Sequence, residues 1–423
     1  MTYRRRAVDD ELDEFLGGMP AILLDGPKGV GKTATAKRRA KTIISLDVPS
    51  QLQVAMSDPD AILDNASPIL VDEWQRYAPI WDAVKRNVDN EEKDGVFILT
   101  GSAYSPDATV HSGALRIHEL RMRPMTLPER GVVTPTVSLG SLLNGEKEIK
   151  GSVANFALRE YVKEIVASGF PGIRKMPTKL QSAALGSYLT SVVNKDFVEV
   201  GHKVRKPAAL LAWLRAYAAA TATNMSYEKI RGMAIPGEEK PPTKPTALAH
   251  IEVLKMLRIL DEVPAWLPGF NFLARLSQAP KRHLVDPALA VRALGLNAKK
   301  LLSGEEGALK IEGSSELLGR LFESLVTLSV RVFAQTLGAT ISHLRTFDGG
   351  REIDLILETE DGKIIGIEVK LSPTVKDDDV KHLLWLKQNA KTEVIDLIVI
   401  TTGDRAFRRA DGVAVIPLAL LGL

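Results

Sequence analysis

No cysteine occurs among the 423 residues. That excludes disulfides, thiolate zinc sites, iron–sulfur clusters and cysteine nucleophiles in one step, and it suits a reducing cytoplasm, where we expect the protein. No stretch approaches the ~18 consecutive apolar residues of a membrane span, so no membrane partner is expected. Nor does one sign of charge dominate: 55 Lys and Arg stand against 52 Asp and Glu, a net charge of +3. Nucleic-acid contact would therefore need local basic patches. Met1–Arg6 is basic, but Asp9, Asp10, Glu11, Asp13 and Glu14 follow where a signal peptide would place its apolar run; neither a secretory nor a twin-arginine signal is expected. What remains is a globular composition, 45% hydrophobic and 25% charged, at a length that predicts two to four domains.

Short apolar runs alternate with helical patterns in the first third. Ala21–Leu24, Ile69–Val71 and Val96–Leu99 read as buried strands, with a helix from about Lys32, which predicts a parallel sheet in an α/β domain. From about Phe156 to Gly269 the apolar spacing is helical, as in Thr190–Val198 and Ala208–Ala220. Gly232–Pro245, with Pro236, Pro241, Pro242 and Pro245, reads as a loop. Beyond Glu312 a long helix, Ser315–Leu337, precedes strands at Ile353–Leu357, Lys363–Glu368 and Ile395–Thr401.

The segment Gly26-Pro27-Lys28-Gly29-Val30-Gly31-Lys32-Thr33 fits G-x-x-x-x-G-K-[ST] at each fixed position, between a strand and a helix that continues through Ala34. Its glycines let backbone N–H groups curl around phosphates, and the helix start adds partial positive charge. Lys32 is expected to reach the β- and γ-phosphates of ATP and Thr33 to hold Mg²⁺. Pro68–Glu73 supplies the complement: an apolar strand ending in Asp72, for the Mg²⁺ shell, and Glu73, to orient or deprotonate the attacking water. The next strand end, Thr100-Gly101-Ser102, could sense the γ-phosphate, with Ser102 the chosen residue. Arg116, Arg121 and Arg123 lie near the end of this domain. One could reach a neighbouring subunit as an arginine finger, Arg116 or Arg123 above all; surface salt bridging is the other reading.

A second constellation lies near the C-terminus. Asp354, thirteen residues, then Glu368-Val369-Lys370 is a D-x(n)-E-x-K pattern on two strands joined by a turn at Glu360-Asp361-Gly362. Glu368 and Lys370 share a strand face, and pairing across the turn would bring Asp354 beside them. Two carboxylates could then hold Mg²⁺ or Mn²⁺, with Lys370 activating water and Glu323 a further ligand or base. The pattern resembles the PD-(D/E)xK nuclease core, with Gln388 as an accessory residue; a hairpin with ordinary salt bridges is the alternative.

Taken together, the phosphate loop, Leu70–Gln75, Leu99–Ser102 and Arg121–Met125 resemble the AAA+ ATPases of the AAA_14 type. Ser168–Pro171, Tyr188–Asp196, Lys281–Asp286, Arg351–Asp354 and Ile367–Lys370 resemble the DUF4143 region that follows such ATPases. The resemblance implies an α/β chain in four parts. Residues 1–150 would form the P-loop AAA+ core, 151–204 a helical lid or connector, 205–300 a winged-helix-like domain and 301–423 a PD-(D/E)xK-like α/β domain. It also implies a homo-oligomer, in all expectation a hexameric ring. The helices at Ala208–Ala220, Tyr227–Met233 and Thr246–Leu260 would then be the winged helix, with Lys244, His250, Lys255 and Arg258 toward DNA and Lys203, Arg205 and Lys206 gripping phosphates. The expected activity is ATP hydrolysis that remodels or translocates DNA, selected by structure rather than sequence. The alternative is a nucleotide-gated regulatory or defence switch that binds a protein partner and does not cut.

Overall fold

A computed structural model describes residues 3–90, 94–101, 116–202, 204–235, 241–266, 278–303, 314–346 and 349–423. In its first part β1 (Ala21–Asp25), β2 (Thr42–Ser45), β3 (Ile69–Asp72), β4 (Phe97–Thr100) and β5 (Ile117–Arg121) form one sheet in the order β2-β3-β4-β1-β5. Every neighbouring pair is parallel. Side chains alternate between two cores, as period-2 strands require. Ile22, Leu70 and Ile98 face a core that includes Leu12 of the helix Ala7–Leu16. Ala21, Ile69, Val71, Phe97 and Leu99 face Ile80, Trp81 and Val84 of the helix Pro79–Asn90. Because β4 inserts between β1 and β3, Thr100 stands in register with Asp72.

The middle of the chain is helical: Leu158–Ala167, Thr178–Ser191, a π turn at Val192–Asp196, Pro207–Ala219, Tyr227–Met233 and Lys244–Met256. Ser226 and Thr243 cap the last two, their hydroxyls accepting from the N–H groups of Lys229 and Thr246. A short antiparallel ladder follows, with bridges Leu260–Leu284 and Val263–Lys281.

The C-terminal sheet runs β11 (Phe407–Arg408), β12 (Ala414–Pro417), β10 (Val394–Thr401), β9 (Ile364–Val369), β8 (Glu352–Glu358), β7 (Thr340–Arg345). The helix Ser314–Thr336 and the helix Asp377–Asn389 feed its two cores. Glu368 is buried, so β9 is covered on both faces rather than presenting one to solvent. Near the chain end β13 (Leu421–Gly422) pairs in parallel with β6 (Val137–Ser138). One apolar core extends from Ala7 to Leu421, so the successive parts share their packing. Among the described residues no helix is long and apolar enough to cross a membrane.

Three histidines sit in this shared interior. Burial drives His283 down to about 3, assisted by Lys281 and Arg331, and it drives His250 and His343 down to about 4. In the unfolded chain each titrates near 6.5. Their stabilising contribution is thus complete above pH 6.5 and is lost as pH falls toward 4, because the unfolded state takes up the protons first. We expect each to withdraw ~2 kcal/mol between pH 7.5 and pH 5, seen as a lower urea midpoint at the acidic pH. An unchanged midpoint would contradict the neutral, buried assignment.

Candidate nucleotide site

The phosphate loop leaves β1 at Asp25 with backbone that only glycine tolerates at two decisive points. Gly26 (φ 156°) passes so close to the Met122 carbonyl that a Cβ would lie 2.3 Å from its oxygen, and Gly31 (φ 113°) turns the chain into the helix Lys32–Ala36. Lys32 is folded onto the loop. Its ammonium donates to the carbonyls of Gly26 (2.6 Å) and Pro27 (3.1 Å). Burial lowers its pKa to about 8, against the pull of Asp25 and Glu73. The lysine is thus held beside the loop's concavity by oxygens that an anionic ligand could replace.

Asp72 closes the other side. Its Oδ1 accepts from Thr33 Oγ1 at 2.9 Å and from Thr100 Oγ1. Ser102, the residue expected to act at this strand end, lies outside the described residues, and Thr100 is the hydroxyl that meets Asp72. The register of β3 against β4 supplies that contact, and no local motif signals it. Glu73, next to Asp72, adopts a left-handed conformation (φ 57°) and accepts from the Gln75 amide at 2.6 Å. The Gln75 amide lies against Gly101, where a Cβ would stand 2.1 Å from its oxygen. Together these residues offer a cation, two hydroxyls and two carboxylates at the C-terminal edge of a parallel sheet, where such folds bind ligands. The donor set of Thr33 and Asp72 suits a hard, oxygen-seeking ion such as Mg²⁺.

Beside the loop a cavity of about 440 Å³ is lined by Tyr3, Gly31, Thr35, Met122, Pro171 and Arg174 among others. The loop is also bonded to the middle of the chain. Lys28 Nζ meets Asp196 Oδ1 at 2.8 Å and Glu199, and Tyr188 Oη donates to the Lys28 carbonyl at 3.2 Å. Ser168 Oγ and the Gly169 N–H both donate to Asp286 Oδ2 at 2.7 Å, and Asp286 Oδ1 caps the helix Pro287–Ala293. The segments at Ser168–Pro171, Tyr188–Asp196 and Lys281–Asp286 thereby meet around the nucleotide-side domain.

Of the arginines considered as a finger, Arg121 and Arg123 are engaged within the chain and Arg116 stands at the surface. Arg123 is inside the molecule, with Asp261 at 2.9 Å and Gln335 Oε1 at 2.8 Å. Arg121 pairs with Asp25 at 3.0 Å. Arg116 is half-exposed and pairs with Asp89. The basic residues expected on the third middle helix differ similarly. His250 is buried, Lys255 pairs with Glu262 at 2.9 Å, and Arg258 pairs with Asp25 and Glu119; Lys244 is exposed. Lys203 lies outside the described residues. Arg205 and Lys206 are exposed and line a cleft of about 850 Å³ with His202, Thr243, Thr246 and His250.

At the C-terminal constellation β8 and β9 pair antiparallel, Leu355 opposite Ile367, which sets Asp354 beside Glu368. The Val369 N–H donates to Asp354 Oδ2 at 2.9 Å, and Lys370 Nζ lies 3.4 Å from Glu368. Glu323 reaches the same centre from the helix Ser314–Thr336, but what it meets is Lys281, which the sequence marks only as the start of the segment Lys281–Asp286 and not as a member of this centre. Lys281 Nζ donates to Glu323 Oε1 at 2.8 Å and Asp354 Oδ1 at 2.7 Å, with Glu352 Oε1 at 3.5 Å. Gln388 is exposed near the end of the helix Asp377–Asn389. Among the described residues no group of three or more His, Asp or Glu side chains is arranged to hold a metal ion. The expectation of Glu323, Asp354 and Glu368 as an open metal site therefore meets a lysine-filled centre instead.

Residues 19–130 match the family profile of an AAA domain, AAA_14. The chain carries an AAA domain. Residues 318–421 match a domain of unknown function, DUF4143, and residues 158–300 match another, DUF8612. The segments Ser168–Pro171, Tyr188–Asp196 and Lys281–Asp286 therefore fall in DUF8612, while Arg351–Asp354 and Ile367–Lys370 fall in DUF4143. No curated protein matches the chain. Among solved structures, a Walker-type ATPase of Pyrococcus abyssi shares 16% identity over 69% of this chain and 96% of its own, with a TM-score of 0.41. The ORC2 protein of Aeropyrum pernix, solved as ADPNP–ADP complexes, shares 14% over 60% and 84%, TM-score 0.29. The replication initiator DnaA, bound to AMPPCP and single-stranded DNA, shares 18% over 59% and 86%, TM-score 0.23. These likenesses are low, and the assignment of the AAA domain rests on the family match and on the parallel sheet with its phosphate loop.

Proposed function

We propose that the protein is a Mg²⁺-dependent ATPase that works as a nucleotide-gated switch. The observation that carries this reading is the Asp72 carboxylate, which gathers Thr33 of the phosphate loop and Thr100 of the neighbouring strand beside Lys32. In the proposed site Lys32 exchanges its two carbonyl partners for phosphate oxygens and stabilises the charge that develops on them. Thr33 and Asp72 are the residues that would hold Mg²⁺, which when bound neutralises phosphate charge. Glu73, released from Gln75, orients the attacking water and accepts its proton. The cavity beside Gly31 and Thr35 receives the base and ribose. Because Lys28 and Tyr188 bind the loop to Tyr188–Glu199, any rearrangement of the loop around a triphosphate is felt in the middle of the chain.

A DNA-acting ATPase is the second reading, favoured by the cleft that Arg205 and Lys206 line. The experiment is phosphate release by the purified chain without DNA, and with linear duplex, single strand and a four-way junction, at low and moderate salt. The switch reading expects hydrolysis that is flat across all four conditions. Stimulation that falls steeply with salt would replace it with the DNA reading. Phosphate release no higher than that of a Lys32→Ala variant would sink both.

A further inference from the structure

We infer that the ammonium of Lys281 takes the place of a divalent cation in the carboxylate centre of the C-terminal domain, so that this centre joins the middle of the chain to that domain and does not bind metal or cut DNA. The argument starts from where the lysine comes from. Lys281 sits on the short ladder that follows the third middle helix, its backbone bonded in both directions to Val263 (N–H to O 2.9 Å and O to N–H 3.0 Å). Its side chain is 1% exposed and is thus fixed at its root and enclosed along its length.

At its tip the three N–H bonds of the ammonium face three carboxylates drawn from two elements: Glu323 on the helix Ser314–Thr336, and Asp354 and Glu352 on β8. The contacts at 2.7 and 2.8 Å are charge-assisted hydrogen bonds. A metal ion shared by the same oxygens would need contacts nearer 2.0–2.6 Å and would have to displace the ammonium. Burial alone would lower the pKa of Lys281, but Asp354, Glu323 and Glu352 outweigh it and hold the group well above its usual range. Ringed by three carboxylates, the ammonium presents its positive charge where a second cation would have to come, and opposes it. Asp354, the carboxylate such a site would need most, is fully engaged: Oδ1 accepts from Lys281 and Oδ2 from the Val369 N–H. Glu368 lies against Asp354 and 3.4 Å from Lys370.

The test is Mn²⁺ binding to the full chain without nucleotide, followed by the electron paramagnetic resonance of free Mn²⁺. The comparison is among the native chain and the Asp354→Asn, Lys281→Ala and Lys281→Ala/Asp354→Asn variants. The expected result is that the native chain and Asp354→Asn give the same isotherm, that Lys281→Ala gains one Mn²⁺ per chain, and that the double variant loses it again. Loss of a Mn²⁺ equivalent on going from the native chain to Asp354→Asn would overturn the inference, because the carboxylates would then hold metal with the lysine in place. A folded Lys281→Ala chain that gains no site would overturn it too. Should Lys281→Ala fail to fold, the native chain against Glu323→Gln gives the same decision: equal isotherms uphold the inference, and a lost equivalent overturns it. The outcome is independent of ATP hydrolysis, which uses none of these residues.

Discussion

Replacing Lys32 by alanine is expected to lower the rate of ATP hydrolysis by about 100- to 1000-fold, equivalent to ~3–4 kcal/mol of transition-state stabilisation. The size follows from what the lysine is and where it stands. It is a cation buried beside the loop, and among the described residues its hydrogen-bond acceptors are two backbone carbonyls. Such a group contributes most where charge develops in a water-poor site. Among the described residues its loss breaks no close ion pair, only the longer-range pull of Asp25 and Glu73, so folding should survive; an unchanged thermal midpoint is the control. Thr100→Val, which deletes one of the two hydroxyls on Asp72 at nearly constant volume, should cost less, about tenfold. Arg116→Ala, removing a half-exposed ion pair with Asp89, should leave the rate within about twofold. If Arg116→Ala instead abolished hydrolysis and Lys32→Ala did not, the site would have to be sought elsewhere.

The parts of this site that are legible in the sequence share one property: their chemistry is local. The phosphate loop is a contiguous spacing of glycines, Lys32 and Thr33, and Asp72-Glu73 ends an apolar run. The inner strands β1, β3 and β4 were readable because both faces of a parallel sheet are covered, leaving unbroken apolar stretches. The edge strands were not. Thr42–Ser45 exposes Ile43, and Ile117–Arg121 mixes His118, Glu119 and Arg121 with two apolar residues, because an edge strand borders solvent and carries mixed chemistry. The pairing of Asp354 with Glu368 followed from a hairpin with a visible turn. Its third partner did not, since Lys281 is 73 residues from Asp354 in the chain and reaches it only through the tertiary fold. The same reason hid the engagement of Arg123. Nothing near Arg121–Pro124 signals Asp261, and a surface arginine and a buried one read alike in a sequence.

That largely enclosed arginine sets the second large effect. Asp261→Asn is expected to destabilise the chain by ~3–5 kcal/mol, measured as a fall in the thermal unfolding midpoint. Asp261 lies within the ladder, between its two bridges, and it bonds Arg123 of the AAA domain at 2.9 Å and Arg331 of the helix Ser314–Thr336 at 3.2 Å. Arg331 also donates to the carbonyls of Asp261 and Glu262, and burial lowers its pKa to about 10. Burial would raise the carboxyl of Asp261, but Arg123, Arg331 and Arg121 overcome that and hold it far below its usual range. Asparagine keeps the shape and loses the charge, leaving buried guanidinium groups without their counter-ion. The pH dependence provides a second reading of the same residue. A depressed carboxyl contributes fully above its unfolded value near 3.9 and loses that contribution as pH falls through its folded value. The difference between native and Asp261→Asn chains should therefore be full at pH 7 and shrink below pH 4. Since Arg123, Asp261 and Arg331 belong to three successive parts of the chain that share one core, the variant should lower the unfolding of the AAA domain and of the C-terminal sheet together. A midpoint that moved for one and not the other would show that the ion cluster trims a boundary rather than holding the parts as one unit.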